Sequence, residues 1–423
     1  MATTNNNEKQ TKSFVKSRLI PGILLLLVGL VTYFMFGASA DWSQNATFGL
    51  TPTGESQALP IPDLVLPVKA CVLFLSLVAV FLGAWMLARG IRSNGLVIGL
   101  VAAAFVLAFL LWATKDDSFS LVGMLSSSLV RATPIALAAL CGVISERAAV
   151  INIGIEGILL ISAQVAVIVG TVSGNLYIGL VAAVLAGGLV AAFHALLAIK
   201  FKVDQIVSGV AINIFAVGAT SFISSRFLEK DINGLNNSGT FPTISIPLLA
   251  KIPVIGPVLF ENNIIVFLML FLVVTMHIVL FYTPWGLRTR AVGEHPKAAD
   301  TLGVNVFLVR YVNVIIGGMI AGVGGAYFTI GAVGRFDEVM TAGKGFIGLA
   351  AMIFGKWSPL GAFASSLIFG FADSLQVKLQ ILGVPIPSEF LLMAPYIVTM
   401  VVLAGVVGSA MAPAADGVPY EKH

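Results

Sequence analysis

Charge is scarce in this chain. Asp, Glu, Lys and Arg make up 10% of its 423 residues and hydrophobic residues 58%, whereas a soluble domain carries about 25% and about 45–50%. That excludes a solvated globular surface and places the chain in a bilayer. Cysteine is nearly absent: Cys71 and Cys141 both sit in apolar runs, where a thiol behaves as a small hydrophobe, so neither a disulfide nor a metal site is indicated. The four histidines, at 194, 277, 295 and 423, include no pair at metal-ligand spacing. No GxSxG occurs, and "AGKGFIG" at Ala342–Gly348 lacks the spaced glycine and the Ser/Thr after Lys that a phosphate-cradling loop needs. The chain therefore reads as no enzyme, with no catalytic residues and no metal or cofactor of its own. The net charge of +4 does not point to nucleic acid, because in a membrane protein the placement of Lys and Arg matters more than their sum.

What is present is long apolar runs. About twelve centre on Leu19–Phe36, Leu64–Ala88, Gly95–Trp112, Leu121–Val143, Ala149–Thr171, Tyr177–Ile199, Gln205–Ile223, Ile264–Phe281, Val309–Ile330, Phe346–Phe354, Gly361–Leu375 and Phe390–Ala410. The fold class is all-α, a polytopic membrane helical bundle. The tenth run is short enough to be a half-helix, which would leave eleven spans. Lys and Arg fall mostly in alternate loops, and residues 39–63 hold none, so both termini are expected in the cytoplasm. Arg226, Lys230 and Lys251 fit this topology least, since they fall in a predicted outer loop. The first run follows a basic stretch, but it exceeds a signal-peptide core and reads as a retained anchor. The chain divides into a polar cytoplasmic tail (1–18, its start from Met1 to Lys12 read as disordered), an N-terminal transmembrane region (19–113), a core (114–410) and a cytoplasmic C-terminal tail (411–423).

Polar groups inside the runs are the candidates for function, because a charge at the bilayer centre costs from about 2.5 kcal/mol upward. "SERAAVINIGIEG", Ser145–Gly157, places Asn152 and Glu156 one turn apart, with Glu156 about seven residues into a helix read as starting at Ala149. Both can line a translocation path or form a buried polar clamp between helices. Gln205, Gly209 and Asn213, spaced by four, with Ser208 beside them, form a second candidate stripe for the path, or packing glue. Glu146 and Arg147 read as a loop-anchoring ion pair. Gly317, Gly318, Gly322, Gly324 and Gly325 read as a packing face, and Phe346, Phe354 and Trp357 as packing residues more than stacking ones.

The loop from Thr283 to Val306, "TPWGLRTRAVGEHPKAADTLGVNV", carries helix punctuation. Pro296 suits a first turn and Gly303 a stop, with Ala298, Ala299 and Leu302 as a small apolar stripe between them that another protein can cover.

That loop, the "GGMIAGVGGAYF" that follows, "SERAAVINIGIEGILLISA", "DQIVSGVAINIFAVG" (Asp204–Gly218) and "GKGFIGLAAMIFGKWSPLGA" (Gly343–Ala362) resemble permeases of ABC importers of the sugar and branched-chain amino acid class. They are most like the nucleoside-type members paired with basic-membrane-protein lipoproteins. The "SERAAVINIGIEGILLISA" stretch departs from the family pattern at Ala149, where glycine is commoner. The resemblance implies a ten-helix core preceded by two extra helices, in the bacterial plasma membrane. It makes Gly286, Arg288, Arg290, Gly293, Glu294, Pro296, Ala298, Ala299, Leu302 and Gly303 an ATPase-coupling segment. It implies as partners a cytoplasmic ATPase carrying ATP and Mg, a second related permease or a second copy, an extracytoplasmic substrate-binding lipoprotein and membrane lipid. Simple sugars such as ribose or galactose are the alternative substrate, and a stand-alone proton-coupled transporter the alternative mechanism.

Overall fold

Four of the spanning helices have their starts written in the sequence as a polar residue just before the apolar stretch. Asp204 Oδ1 accepts the Ile206 and Val207 amides at 2.9 and 3.0 Å, and Asn263 Oδ1 those of Ile265 and Val266 at 3.0 and 3.1 Å. Asn175 and Asn305 do the same for Tyr177 and Leu308. These caps satisfy first-turn amides that hydrocarbon cannot solvate.

The computed structural model describes residues 19–51, 58–89, 94–229, 234–382, 390, 393 and 411–422. Among them, ten helices are long and apolar enough to cross a membrane: α1 (Leu19–Gly37), α2 (Val68–Arg89), α3 (Asn94–Ala113), α4 (Leu121–Arg147), α5 (Ile155–Ser173), α6 (Leu176–Ala195), α7 (Gln205–Ile223), α8 (Ile264–Tyr282), α11 (Val306–Ala326) and α13 (Pro359–Ile381). Shorter helices are α9 (Pro284–Glu294), α10 (Pro296–Thr301) and α12 (Lys344–Phe354). The eleven residues of α12 extend about 16 Å, half of a hydrocarbon core of about 30 Å, so the tenth run is a half-helix. The twelfth run and the polar start lie outside the described residues, apart from Phe390 and Met393. One-turn π-helical segments close α6 (Leu196–Lys200), α7 (Ser224–Leu228) and α11 (Tyr327–Val333).

Two compact units are distinguishable. The first holds α1–α3 with a three-stranded sheet, order β2-β1-β3, from β1 (Asn45–Gly49), β2 (Leu64–Pro67) and β3 (Ser118–Ser120). Asn45 pairs with Pro67 antiparallel, and Thr47 with Ser118 parallel. Leu25, Ala79, Met86, Val97 and Val101 form its buried helical seam.

The second unit, from Leu125, contains the remaining helices and a two-stranded ladder, β4 (Ile244–Ser245) with β5 (Glu261–Asn262). Its centre is the trio α5, α6 and α11, packed through backbone. A Cβ on Gly322 would lie 2.9 Å from Val184 Cα, and one on Gly318 would meet the Gly187 carbonyl and Ala191 Cβ. Apolar side chains such as Leu185, Leu189 and Phe193 face outward from α6, where lipid takes the place of a core.

The run read as Ala149–Thr171 begins instead at Ile155, and α4 continues through Arg147. The reason is Ala149, which sits in the left-handed region at φ +63 and ends the α4 ladder. An L side chain costs about 1 kcal/mol or more in that region. Ala149→Gly is expected to stabilise the protein by about 1 kcal/mol, read as a higher Tm of the detergent-solubilised protein; an unchanged or lower Tm would contradict it.

Candidate functional site

Ala148, Ala149 and Val150 still donate to the last turn of α4 and the Gly154 carbonyl accepts from α5, but the break leaves backbone groups of Ile151 and Ile153 to be satisfied by side chains, since hydrocarbon cannot solvate them. The α7 stripe supplies them. Gln205 Oε1 accepts the Ile151 amide at 2.8 Å. Asn213 accepts the Gly157 amide through Oδ1 at 2.8 Å and donates through Nδ2 to the Ile153 carbonyl at 2.9 Å. His194 Nε2 lies 2.9 Å from the Ile151 carbonyl, which can only accept, so that nitrogen carries the proton. In the neutral ring Nδ1 then accepts from Ser208 Oγ at 3.1 Å. Gly209 lets α7 approach, since a Cβ there would lie 2.8 Å from the Gly154 nitrogen. Asn152 is fully buried and donates to Cys141 Sγ at 3.7 Å. Its Oδ1, like Gln205 Nε2, is buried without a partner among the described residues.

Glu156 stands in the first turn of α5, not seven residues along a helix, and is 7% exposed. Its carboxylate accepts from Thr341 Oγ1 at 2.6 Å and from the Gly343 and Gly345 amides at 2.9 and 2.7 Å. Those amides begin α12. A helix N-terminus ending inside the membrane exposes unpaired N–H groups and a partial positive charge, and Glu156 caps it. Gly345 permits the approach: a Cβ there would lie 2.7 Å from the Glu156 backbone. Two interrupted segments thus meet at one carboxylate.

Glu146 and Arg147 do not pair with each other, contrary to the expectation from sequence. Glu146 accepts from Trp357 Nε1 at 2.5 Å, while Arg147 donates to the Trp357 and Lys356 carbonyls at 2.9 and 3.3 Å. They anchor the α12–α13 turn separately, because the end of a half-helix also needs its carbonyls satisfied. Phe354 stacks on Phe369, centroids 5.7 Å apart, so both it and Trp357 pack within the chain.

The loop after α8 forms two helices, α9 and α10, rather than one. Thr283 caps α9 through Gly286 N at 3.3 Å, and a Cβ on Gly286 would strike the Val279 and Leu280 carbonyls. Arg288 is exposed, whereas Arg290 lies over the Phe281 ring, 5.1 Å from its centroid. Pro296 opens α10 and Gly303 ends it at φ +83. The predicted stripe splits: Ala299 is buried against Val292, Val306, Val309 and Tyr420, while Ala298 and Leu302 face outward, Leu302 being 85% exposed.

Tyr420 belongs to the C-terminal tail, which lies across this loop. Ala415 N donates to the Gly293 carbonyl at 2.9 Å, Ala414 N to Glu294 at 3.2 Å, and Arg310 Nη1 to the Val418 carbonyl at 3.0 Å. Lys422 faces Asp300 at 3.8 Å, and Glu421 faces Lys202 of the α6–α7 connection at 2.5 Å. Burial pushes the Asp416 carboxyl up to about 6, against lowering by hydrogen bonds from Glu146 and Gly417 and by the charge of Arg310. A raised carboxyl stabilises docking fully below its ordinary value of 3.8, and that contribution is lost as pH rises through about 6. Asp416→Asn is therefore expected to hold the tail more firmly than wild type at about pH 8 and equally at about pH 4; hydrogen exchange of residues 411–422 measures it, and equal protection at both pH values would refute it.

Sequence reasoning missed three charged side chains in this unit. Arg131 of α4 and Lys344 of α12 both bond Asp373 of α13 at Oδ2, at 3.2 and 2.9 Å. The signal was present: lone charges inside apolar runs, and a Lys between glycines just before a short one.

Residues 124–407 match the family described as branched-chain amino acid transport system / permease component. The chain is 43% identical over 308 residues to the guanosine ABC transporter permease protein NupQ of Bacillus subtilis, covering 70% of this chain and 95% of that one. It is 40% identical over 308 residues to the nucleoside ABC transporter permease protein NupC of Lactococcus lactis, covering 71% and 96%. A glucose ABC transporter permease protein of Haloferax volcanii is 27% identical over 272 residues, covering 62% and 71%. No solved structure matches. The chain therefore belongs to the permease component family of ABC transporters: a non-catalytic, multi-pass subunit of the bacterial plasma membrane that works with separate ATPase and substrate-binding components.

Proposed function

We propose that this permease carries nucleosides inward. The observation that carries the substrate is near full-length similarity to a guanosine and a nucleoside permease, 95% and 96% of whose lengths are covered. A lipoprotein delivers the nucleoside at the extracytoplasmic face, and a second, related permease subunit completes the path. ATP and Mg bind only the ATPase, which docks on the cytoplasmic α9/α10 face through Ala298, Leu302, Leu287 and Arg288, all exposed. Movement of this face reaches the interior through close contacts: Gly293 lies against the Arg147 carbonyl, and Gly417 of the tail against Ile151 of the break. The break in turn ends at Glu156 and α12. Asn152 and Gln205, each with a buried orphan atom, offer water or substrate a hydrogen bond when the break moves, while Asn213 directly, and Ser208 through His194, hold its backbone in register. Transport then follows from differential binding in outward and inward states, without chemistry in this chain.

Uptake of labelled guanosine, uridine, ribose and galactose tests this in cells lacking the chain, complemented with wild type or with Ala298→Asp, Leu302→Asp. Wild type is expected to restore nucleoside uptake alone, and the double variant to fail at normal membrane levels. Restoration of sugar uptake alone would replace nucleosides by sugars, as the Haloferax relative's name allows; normal transport by the variant would remove the coupling role. Uptake abolished by an uncoupler but not by ATP depletion would instead favour the proton-coupled mechanism.

A further inference from the structure

Arg131, Asp373 and Lys344 meet within the length of the spanning helices. Measured from the end where Arg147 holds the α12–α13 turn, Lys344 is ten residues up α12, Asp373 fourteen up α13 and Arg131 sixteen up α4, or about 15, 21 and 24 Å along the helices. All three side chains remain accessible, at 20%, 17% and 37%. For Arg131 this is informative, because α4 is the most enclosed of the spans among the described residues, with 83% of its apolar window buried. Its neighbours Leu129, Ala132 and Thr133 are at 2% or less. An accessible guanidinium on such a helix is not enclosed by this chain, and a charge along a spanning helix needs water or a partner. Pro134, one turn on, also interrupts the α4 hydrogen-bond ladder at this level.

The group is built to receive something. A structural ion pair at this depth would be matched in charge and satisfied in its bonds; here two cations share one carboxylate oxygen, Oδ2, and neither bond uses Oδ1. Each of these bonds uses one of the five N–H donors of Arg131 and one of the three of Lys344. The site lies beside the start of a discontinuous helix, where transporters place midplane ligands, and Glu156 already occupies that helix terminus.

Resting on the nucleoside reading, we infer that this triad is a substrate-binding site and that Arg131 and Asp373 read the edge of a 6-oxopurine base. A planar guanidinium donates to two adjacent acceptors, O6 and N7, and a carboxylate oxygen accepts from N1–H. Adenosine turns an amino group toward the guanidinium, donor against donor, and leaves groups on both sides unpaired. Lys344 holds Asp373 and is the positioning residue.

The test is equilibrium binding of labelled guanosine, adenosine, ribose and guanosine monophosphate to the purified permease–ATPase complex in nanodiscs. The binding protein is omitted so that its selectivity does not enter. Wild type is expected to favour guanosine over adenosine by on the order of tenfold or more. Arg131→Lys, which keeps the ion pair but not the planar fork, is expected to retain assembly and lose that preference; Asp373→Asn is expected to weaken guanosine by about tenfold or more. Equal wild-type affinities, no guanosine binding, or an unchanged preference in Arg131→Lys would overturn the site. Tighter binding of the monophosphate would show that the cations read phosphate and overturn base reading. If the complex binds ribose but no nucleoside while whole cells import only sugar, the nucleoside reading itself fails; cells importing guanosine through a complex whose triad variants bind normally would sink the site alone.

Discussion

Replacing Glu156 by Gln is expected to reduce nucleoside uptake by at least about a hundredfold while membrane levels stay within about twofold of wild type. The carboxylate accepts three bonds, two from backbone amides at the start of α12 and one from Thr341. Bonds to a charged acceptor contribute about 1.5–3 kcal/mol each. Gln has one acceptor oxygen, and its NH2 would face an N–H donor, so at least one buried amide loses its partner at the joint between the two interrupted segments. The loss falls on the placement of α12 more than on the bundle, because the α5–α6–α11 trio does not depend on it. Thr341→Val removes one bond and leaves the amides capped, so its expected loss is about tenfold or less. Normal uptake by Glu156→Gln would show that the joint tolerates an uncapped half-helix and would remove its mechanical role.

Gly322→Val is expected to abolish accumulation of the protein. Ordinary overpacking costs about 1–3 kcal/mol because side chains can shift; here the new methyl groups would enter the Ala183 carbonyl and Val184 Cα of α6, and backbone in the middle of a helix has nowhere to go. Gly218→Ala, on α7 where a Cβ would have nothing within 4 Å, is the matched control and should accumulate normally. Membrane levels by immunoblot and the Tm of solubilised protein separate the two, and near-equal levels would mean that α6 and α11 are not in backbone contact.

The bundle was legible because apolar length and flanking caps are local signals: Asp204, Asn263 and Asn305 announce their helices without reference to anything distant. The start of α5 was not, since the apolar run passes unbroken through Ala149, and only its backbone angle, set by tertiary packing, ends α4. Pro296 and Gly303 were legible as the ends of α10, whereas α9 was not, its Gly286 being explained only by the α8 carbonyls it lies against. Among the candidate path residues, the spacing of Gln205, Gly209 and Asn213 was a true face, but what it faces, the amides and carbonyls of a broken chain, has no signature in side-chain types. Arg131 and Asp373, 242 positions apart, were each visible as an isolated charge; their meeting was not. The docking of the C-terminal tail was not legible, because its few apolar residues, Tyr420 among them, show no period.

The π-helical turns closing α6, α7 and α11 gain meaning beside the glycine-packed trio. Helices joined backbone to backbone have no soft layer between them, so the trio is a stiff plate, and shear within it would have to break many close contacts at once. A π turn holds one residue more than the α ladder needs, slack that can pass along a helix while its packed part stays still. The plate is thus the part of the unit least able to deform, and the wide turns at the ends of α6 and α11 are where its backbone has room to yield.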